Sequence, residues 1–226
     1  MNLKTLYNFY SKHPEASWVM VPENAQQLFA FIKSHPIKKI LDLGTGIGLS
    51  AAVCAHALKD KGEVEGRVDS VEQFDKCVDL ANKLMPEEFK SFVTIHKANA
   101  EIWNTDKIPY HNFSIFDKLP EGEYDLIIND GPGPFEKEGS LIDLPNGTIH
   151  KLLLEDKIKP GTFILFDGRI TALRSLDNYF GSNFYIHLPD NTRSDFNVLE
   201  RKDCLVKFED CLFKNMQDAN YFGGVK

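Results

Sequence analysis

Residues 40–52, ILDLGTGIGLSAA, join an apolar run containing one acid to glycines 44, 46 and 48 and then to a helical pattern. A strand running into Gly44-Thr45-Gly46-Ile47-Gly48 and on into a helix leaves little room for side chains, so a ligand can approach backbone N–H groups directly. The spacing discriminates between ligands. A dinucleotide turn, G-x-G-x-x-G, would put its third glycine at position 49, which is Leu49, so a pyrophosphate is disfavoured. Asp42 adds negative charge at the mouth and suits an amino group or a sulfonium better than a phosphate. Glu72 ends a second strand, RVDSVE, about two dozen residues past Gly48, where an acid in this topology reaches the paired hydroxyls of a ribose.

Two more acids end apolar runs. Asp130 closes YDLIIND and opens the stiff turn GPGP; a carboxylate there reads as catalytic or substrate-orienting, against the plainer role of a turn cap. Asp167 closes TFILFD and is followed by Gly168 and Arg169. Arg169 could pair with Asp167 or offer its fork to an anionic substrate group.

Elements that place four acids at four strand ends must alternate. The runs 38–43, 67–72, 92–98, 124–130 and 162–167 read as strands, the first as a continuous apolar strand buried on both faces of a parallel sheet. Helical spacing follows Gly48, recurs from Phe74 to Leu84 until Pro86, and covers 148–158 and roughly 169–180. NFYIHL and FNVLERK, separated by PDNTRSD, read as an antiparallel hairpin. The expectation is one α/β domain over residues 1–226, built on a doubly wound sheet with a mixed edge. Residues 1–36 form a helical cover (helices at 3–10 and 24–34), 37–202 the core and 203–226 an extension. In the last, Leu205, Phe208, Cys211 and Leu212 at helical spacing suggest an edge helix or a homodimer contact. The stretches 103–123 and 131–147 are left as long connections, of the kind that cover a site.

Composition narrows the partners. A net charge of −7 over 226 residues, with no long basic run, shows no nucleic-acid footprint. The opening MNLKTLYNFYSKHPEASW lacks the apolar stretch of a signal peptide and no run is long enough to span a bilayer, so a soluble, cytoplasmic protein without a membrane partner is expected. Cys54, Cys77, Cys204 and Cys211 show neither C-x-x-C pairing nor zinc spacing and read as reduced thiols.

Taken in order, ILDLGTGIGLSA, VDSVEQFDKCVDLA, KANAEIW, YDLIINDGPGP and KPGTFILFD resemble the strand-end motifs of class I S-adenosylmethionine-dependent methyltransferases over roughly residues 22–201. GTGIGLSA is most similar to the small O-methyltransferases of the catechol and caffeoyl-CoA type. The resemblance implies a Rossmann-like three-layer sandwich with a seven-stranded, mostly parallel sheet and an antiparallel last strand. It implies that Asp42, Gly44, Thr45, Gly46 and Gly48 surround the methionine end of S-adenosylmethionine. Glu72 would hold the ribose, Asn99 with Ala100 would face the adenine amino group, and Asp130 would lie beside the methyl group and the nucleophile. Asp130 and Asp167 match two of the three magnesium ligands of the catechol branch, but the third position is Gly168 rather than Asn.

Methyl transfer from a sulfonium is an in-line displacement, so alignment and exclusion of water dominate. A general base is needed only for a weakly acidic acceptor such as an alcohol. His111, in the 103–123 connection, could reach the site, and by the resemblance His13, Tyr7 and Tyr10 lie on a segment that often closes over the cofactor; His56, His96 and His187 read as structural. Phe74 and Trp103 could flank the adenine, although aromatics near strand ends are usually core residues. The reading is methyl transfer to an oxygen of a small-molecule or sugar-containing acceptor. Its rivals are a nucleoside-binding protein without catalysis and a nicotinamide-dependent oxidoreductase.

Overall fold

The computed structural model describes residues 1–180, 184–187 and 196–201. The N-terminal cover consists of α1 (Leu3–Ser11) and α2 (Pro22–Ser34). The core then runs through β1 (Lys39–Leu43), α3 (Leu49–Asp60), β2 (Arg67–Glu72), α4 (Asp75–Leu84) and β3 (Val93–Lys97). Next come β4 (Ala100–Thr105), β5 (Ile108–Phe116), β6 (Leu126–Asn129), β7 (Phe135–Lys137), β8 (Ser140–Ile142) and α5 (Thr148–Leu154). The chain closes with β9 (Phe163–Asp167), α6 (Ile170–Phe180), β10 (Phe184–His187) and β11 (Phe196–Arg201).

The main sheet has the order β10-β11-β9-β6-β1-β2-β3. β9, β6, β1, β2 and β3 are parallel, and β11 enters antiparallel between β9 and β10. This is the Rossmann-like methyltransferase sandwich, with the mixed edge where the hairpin was expected.

Strand alternation builds two cores. Ile40, Leu126, Ile128, Phe163 and Leu165 face the layer of α1, α2 and α3, where Leu6, Tyr10, Leu28, Ile32, Ala52 and Cys54 are buried. Leu41, Leu43, Ile127, Ile164 and Phe166 face the other way, against Phe113, Ile149, Leu153, Leu176 and Phe180. Each such aliphatic side chain contributes roughly 1.5–3 kcal/mol on burial, so the central strands are held from both sides. The ends of these strands are therefore rigid mounts for the acids they carry.

The two stretches taken as connections contain hairpins. β4 and β5 pair across the two-residue turn Asp106-Lys107, with Thr105 opposite Ile108. Ile108, Phe113, Ile115 and Phe116 are buried, so the hairpin packs on the second core. Thr, Asn, His and Pro dilute the period-two pattern there, and pairing with a neighbouring strand overrides it. β7 and β8 turn at Glu138 and Gly139, both at positive φ (52° and 76°). That is a primed turn, normally announced by Asn-Gly or Asp-Gly, and a Glu in the first position hides it.

The expected edge helix over 204–216 and the connection 189–195 lie outside the described residues, as do Cys204 and Cys211. Cys54 and Cys77 are free thiols. No helix among the described residues is long and apolar enough to cross a membrane.

Candidate functional site

The glycine turn rises from the middle strand of the sheet. Gly44 and Gly48 have φ of 105° and 101°, backbone that side-chain-bearing residues rarely adopt. A Cβ on Gly44 would lie 2.8 Å from both the Asp130 carbonyl carbon and the Gly131 nitrogen, so the end of β6 presses directly on the turn. Gly46 differs: a Cβ there meets no atom within 4 Å, which leaves open space on the turn's outer side. Gly44 N–H and Thr45 N–H donate to the Val71 carbonyl at 2.9 and 3.2 Å, binding the turn to β2. No side chain caps α3 at Gly48, which leaves its first N–H groups without a capping side chain.

Glu72 is buried, and its carboxylate accepts three backbone N–H groups: Gly46 (2.8 Å), Gln73 (2.8 Å) and Phe74 (2.9 Å). Burial raises its pKa and the amides pull it back. Oε1 takes two of these bonds and Oε2 one, so Oε2 keeps a lone pair for a further donor.

Asp42 is completely buried. Its Oδ2 accepts Ser70 (2.7 Å) and Ser50 (2.8 Å) hydroxyls, with Thr45 Oγ1 2.6 Å from Ser70 Oγ, while Oδ1 has no partner. Burial pushes Asp42 up to about 6, the two hydroxyls oppose this, and the neighbouring Glu72 and Asp167 add to it. A buried oxygen without a partner costs free energy until a donor arrives. Because the folded pKa is raised, the stability that Asp42 contributes is fully present below its unfolded value near 4 and lost as pH rises to about 6. Asp42→Asn is therefore expected to raise the thermal midpoint of the free protein at pH 8 and leave it little changed at pH 4. A lower midpoint at pH 8 would show that the buried charge is not a cost.

At the end of β6, Asp130 Oδ1 accepts Arg169 Nε at 3.0 Å, and Arg169 Nη2 donates to the Asp130 carbonyl. The guanidinium thus pairs with Asp130 rather than Asp167, whose Oδ1 accepts Asn24 Nδ2 at 2.7 Å from the first turn of α2. Burial pushes Asp130 up to about 7; Arg169 lowers it, and Asp167 and Asp42 raise it. A third of its side chain is still accessible. One opening therefore holds a carboxylate poised near neutrality, a second buried one, and Glu72.

The structure brings Asp42, Gly44, Thr45, Gly46, Gly48, Glu72 and Asp130 together as the sequence suggested. Asn99 and Ala100 follow β3 beside Glu72, whose carbonyl accepts Ala98 N–H at 3.0 Å. The Asn99 side chain, however, is exposed and donates to Asp117 Oδ2 at 2.9 Å. Phe74 is 49% exposed beside Glu72 and free to stack on a base, whereas Trp103 packs 5.8 Å from Phe113. His111 does not reach the opening: its ring lies 5.6 Å from Tyr179, nine residues into α6 and so about 14 Å along that helix from its start. Sequence reasoning missed Gln73, Asn24, Ser50 and Ser70. The one available signal was Ser70, a hydroxyl between Val68 and Val71 in the strand that ends on Glu72.

The donors fit a cationic nucleoside cofactor and not magnesium. Asp42 Oδ1 lacks a donor, Glu72 Oε2 has a spare lone pair, and Gly46 leaves space. Asp130 is already paired with a guanidinium, Asp167 with Asn24, and Gly168 offers no side-chain ligand. No group of three or more His, Cys, Asp or Glu among the described residues is arranged to hold a metal. A separate cavity of about 600 Å³, lined by Leu41, Phe116, Ile127, Lys151 and Leu152 among others, includes none of the site residues.

The family model for protein-L-isoaspartate(D-aspartate) O-methyltransferase matches residues 16–118, which carry the glycine turn, Glu72 and Asn99 and stop short of Asp130. No curated protein matches the chain in sequence. Among solved structures, the chain is similar to an O-methyltransferase from Bacillus cereus in complex with SAH, with a TM-score of 0.59, 16% identity and coverage of 88% of this chain and 90% of that one. It is also similar to the SAH-bound methyltransferase PaMTH1 from Podospora anserina (0.57, 16%, 88% and 88%). A third is the O-methyltransferase TomG from Streptomyces achromogenes in complex with SAM (0.55, 15%, 89% and 91%). At such identities the likeness is one of fold. The chain therefore has the fold of the class I S-adenosylmethionine-dependent methyltransferases, and over residues 16–118 it is also similar to one of their families in sequence.

Proposed function

We propose that the protein transfers a methyl group from S-adenosylmethionine to an oxygen of a small-molecule or sugar-containing acceptor. The observation that carries the cofactor is the unpartnered, fully buried Oδ1 of Asp42, two residues before a glycine turn that leaves open space at Gly46. An ammonium or sulfonium group answers that oxygen, and a phosphate would be repelled by Asp42, Glu72, Asp130 and Asp167 together. When bound, the cofactor supplies an electrophilic methyl group on sulfur.

The chain's own residues then align and desolvate. Glu72 Oε2 is placed to accept a ribose hydroxyl, and Phe74 to cover the base. Asp130 stands at the switch point with a pKa of about 7, so near neutral pH it can take the proton of an acceptor hydroxyl. Arg169 holds that carboxylate in place through Nε. An oxygen acceptor is favoured because a base tuned to neutrality serves a hydroxyl and is idle for an amine already free of its proton. The acidic opening and the absence of a basic run favour a small acceptor over a polynucleotide. Structurally similar methyltransferases in complex with SAM or SAH support the cofactor.

Calorimetric titration with S-adenosylhomocysteine tests the reading. Micromolar binding is expected, with no heat from NAD, since Leu49 stands where a dinucleotide turn needs glycine. Glu72→Ala removes a charged acceptor and is expected to weaken binding roughly 10- to 100-fold. Equal affinity in the variant would remove Glu72 from the ribose site; binding of NAD in place of S-adenosylhomocysteine would overturn the reading.

A further inference from the structure

We propose that the Gln73 side chain is a latch across the cofactor opening, and that the cofactor enters and leaves only when this latch is released. The inference rests on the reading that S-adenosylmethionine occupies the ends of β1 and β2.

The sheet order places β1 between β6 and β2, and the turn 44–48 rises from β1. Segment 131–134 leaves β6 on one side of that turn and is held on the other side by Gln73, the first residue after β2. Gly133 N–H donates to Gln73 Oε1 at 2.7 Å, and Gln73 Nε2 donates to the Pro134 carbonyl at 3.1 Å and the Gly133 carbonyl at 3.3 Å. A single carboxamide therefore satisfies both polarities of the strap's backbone, its oxygen accepting and its NH₂ donating at the same time. The strap spans the turn on which the cofactor is read to lie.

Its two ends are anchored differently. At the near end Gly131 lies against Gly44, where an added Cβ would come within 2.8 Å of the Gly44 Cα, so backbone packing holds it. The far end depends on the amide of Gln73. Burial falls along the strap, from buried Gly131 and Pro132 through half-buried Gly133 to exposed Pro134, and a Cβ built on Gly133 would meet no atom within 4 Å, so the half next to Gln73 is the loosely packed one. The far half leads directly into the β7–β8 hairpin, whose Leu141 is 72% exposed, so moving that half from Gly133 onward does not require the buried Pro132 to leave its place. Gln73 follows Glu72 immediately, and Glu72 accepts the Gln73 N–H. Cofactor held by Glu72 and the latch closed by Gln73 thus share one dipeptide.

Gln73 is a positioning residue, and its signature is kinetic. Stopped-flow measurement of S-adenosylhomocysteine association and dissociation is made on the wild type, Gln73→Ala and Gln73→Glu. For Gln73→Ala, association and dissociation rates are both expected to rise about tenfold or more, with Kd changed by less than about threefold. In Gln73→Glu the carboxylate repels the Gly133 and Pro134 carbonyls, so exchange is fast at pH 8 and slows toward the wild-type rate as the pH falls and the carboxyl regains a donor. This comparison is made within one folded protein and stands even if Gln73→Ala folds poorly. A rise in dissociation alone, with Kd weakened in proportion, would make Gln73 a mere cofactor contact and overturn the latch. Unchanged rates in both variants would also overturn it while leaving the cofactor reading intact. A wild type that does not bind S-adenosylhomocysteine would overturn both.

Discussion

Asp130→Asn is expected to slow methyl transfer by about 10²–10⁴-fold, the range lost with a general base, while S-adenosylhomocysteine binds almost as before. Asn preserves shape: its Oδ1 can still accept Arg169 Nε, and Arg169 Nη2 still reaches the backbone carbonyl of residue 130. What disappears is the proton acceptor. The pH profile provides the decisive readout. Asp130 is pushed up to about 7 by burial, so transfer by the wild type should fall with decreasing pH below that value as the carboxyl protonates. The positive sulfonium favours the ionised form, so the limb in kcat should lie at lower pH than the limb in kcat/KM. Arg169 lowers the Asp130 pKa, and Arg169→Gln should move the limb upward. In Asp130→Asn the limb should vanish. An Asn variant with wild-type turnover and an unshifted limb would assign Asp130 to structure alone.

The second large effect is on the fold itself, and it separates two glycines three letters of sequence cannot tell apart. Gly44→Ala is expected to destabilise the protein by about 2–5 kcal/mol, combining a left-handed φ with overpacking against a backbone that cannot rotate away. The added methyl would meet the Asp130 carbonyl carbon and the Gly131 nitrogen at 2.8 Å. For a chain of this size that corresponds to a loss in Tm on the order of 10 °C, and the displaced β6 end takes Asp130 with it. Gly46→Ala places its methyl in open space at φ 52°, and is expected to cost only about 1 kcal/mol. That methyl occupies the space read as the cofactor's, so S-adenosylhomocysteine affinity should collapse while Tm hardly moves. Differential scanning calorimetry beside titration checks both. Equal Tm losses in the two variants would show that the turn's geometry, not the ligand, dictates both glycines.

Much of the scaffold was legible because its signals are local. Continuous apolar runs marked β1, β6 and β9, since a strand buried on both faces needs no polar alternation. The acids closing those runs fell at strand ends for the same reason. The two hairpins were not legible. Each needs a partner strand to exist: β5 carries Pro109, His111 and Asn112 within its span, and the β7–β8 turn uses Glu138 where Asn or Asp would have signalled it. Asn99 stood where the family motif puts it, yet its amide is engaged by Asp117, eighteen residues downstream, across a hairpin the sequence did not announce.

What the sequence determined by itself was the kind of site: a glycine turn too tight for a pyrophosphate pattern, preceded by Asp42 and followed by acids at Glu72, Asp130 and Asp167. Turn conformation and strand burial depend on neighbours within a few residues, and a sequence records those. The tertiary structure alone decided the pairings, with Arg169 on Asp130 and Asn24 on Asp167, Gly131 against Gly44, and Gln73 closing on Gly133 and Pro134. Those partners are brought together by strand order, which places β6 beside β1 and β1 beside β2. Contacts across that order join residues up to 143 positions apart, a distance at which local pattern carries no information.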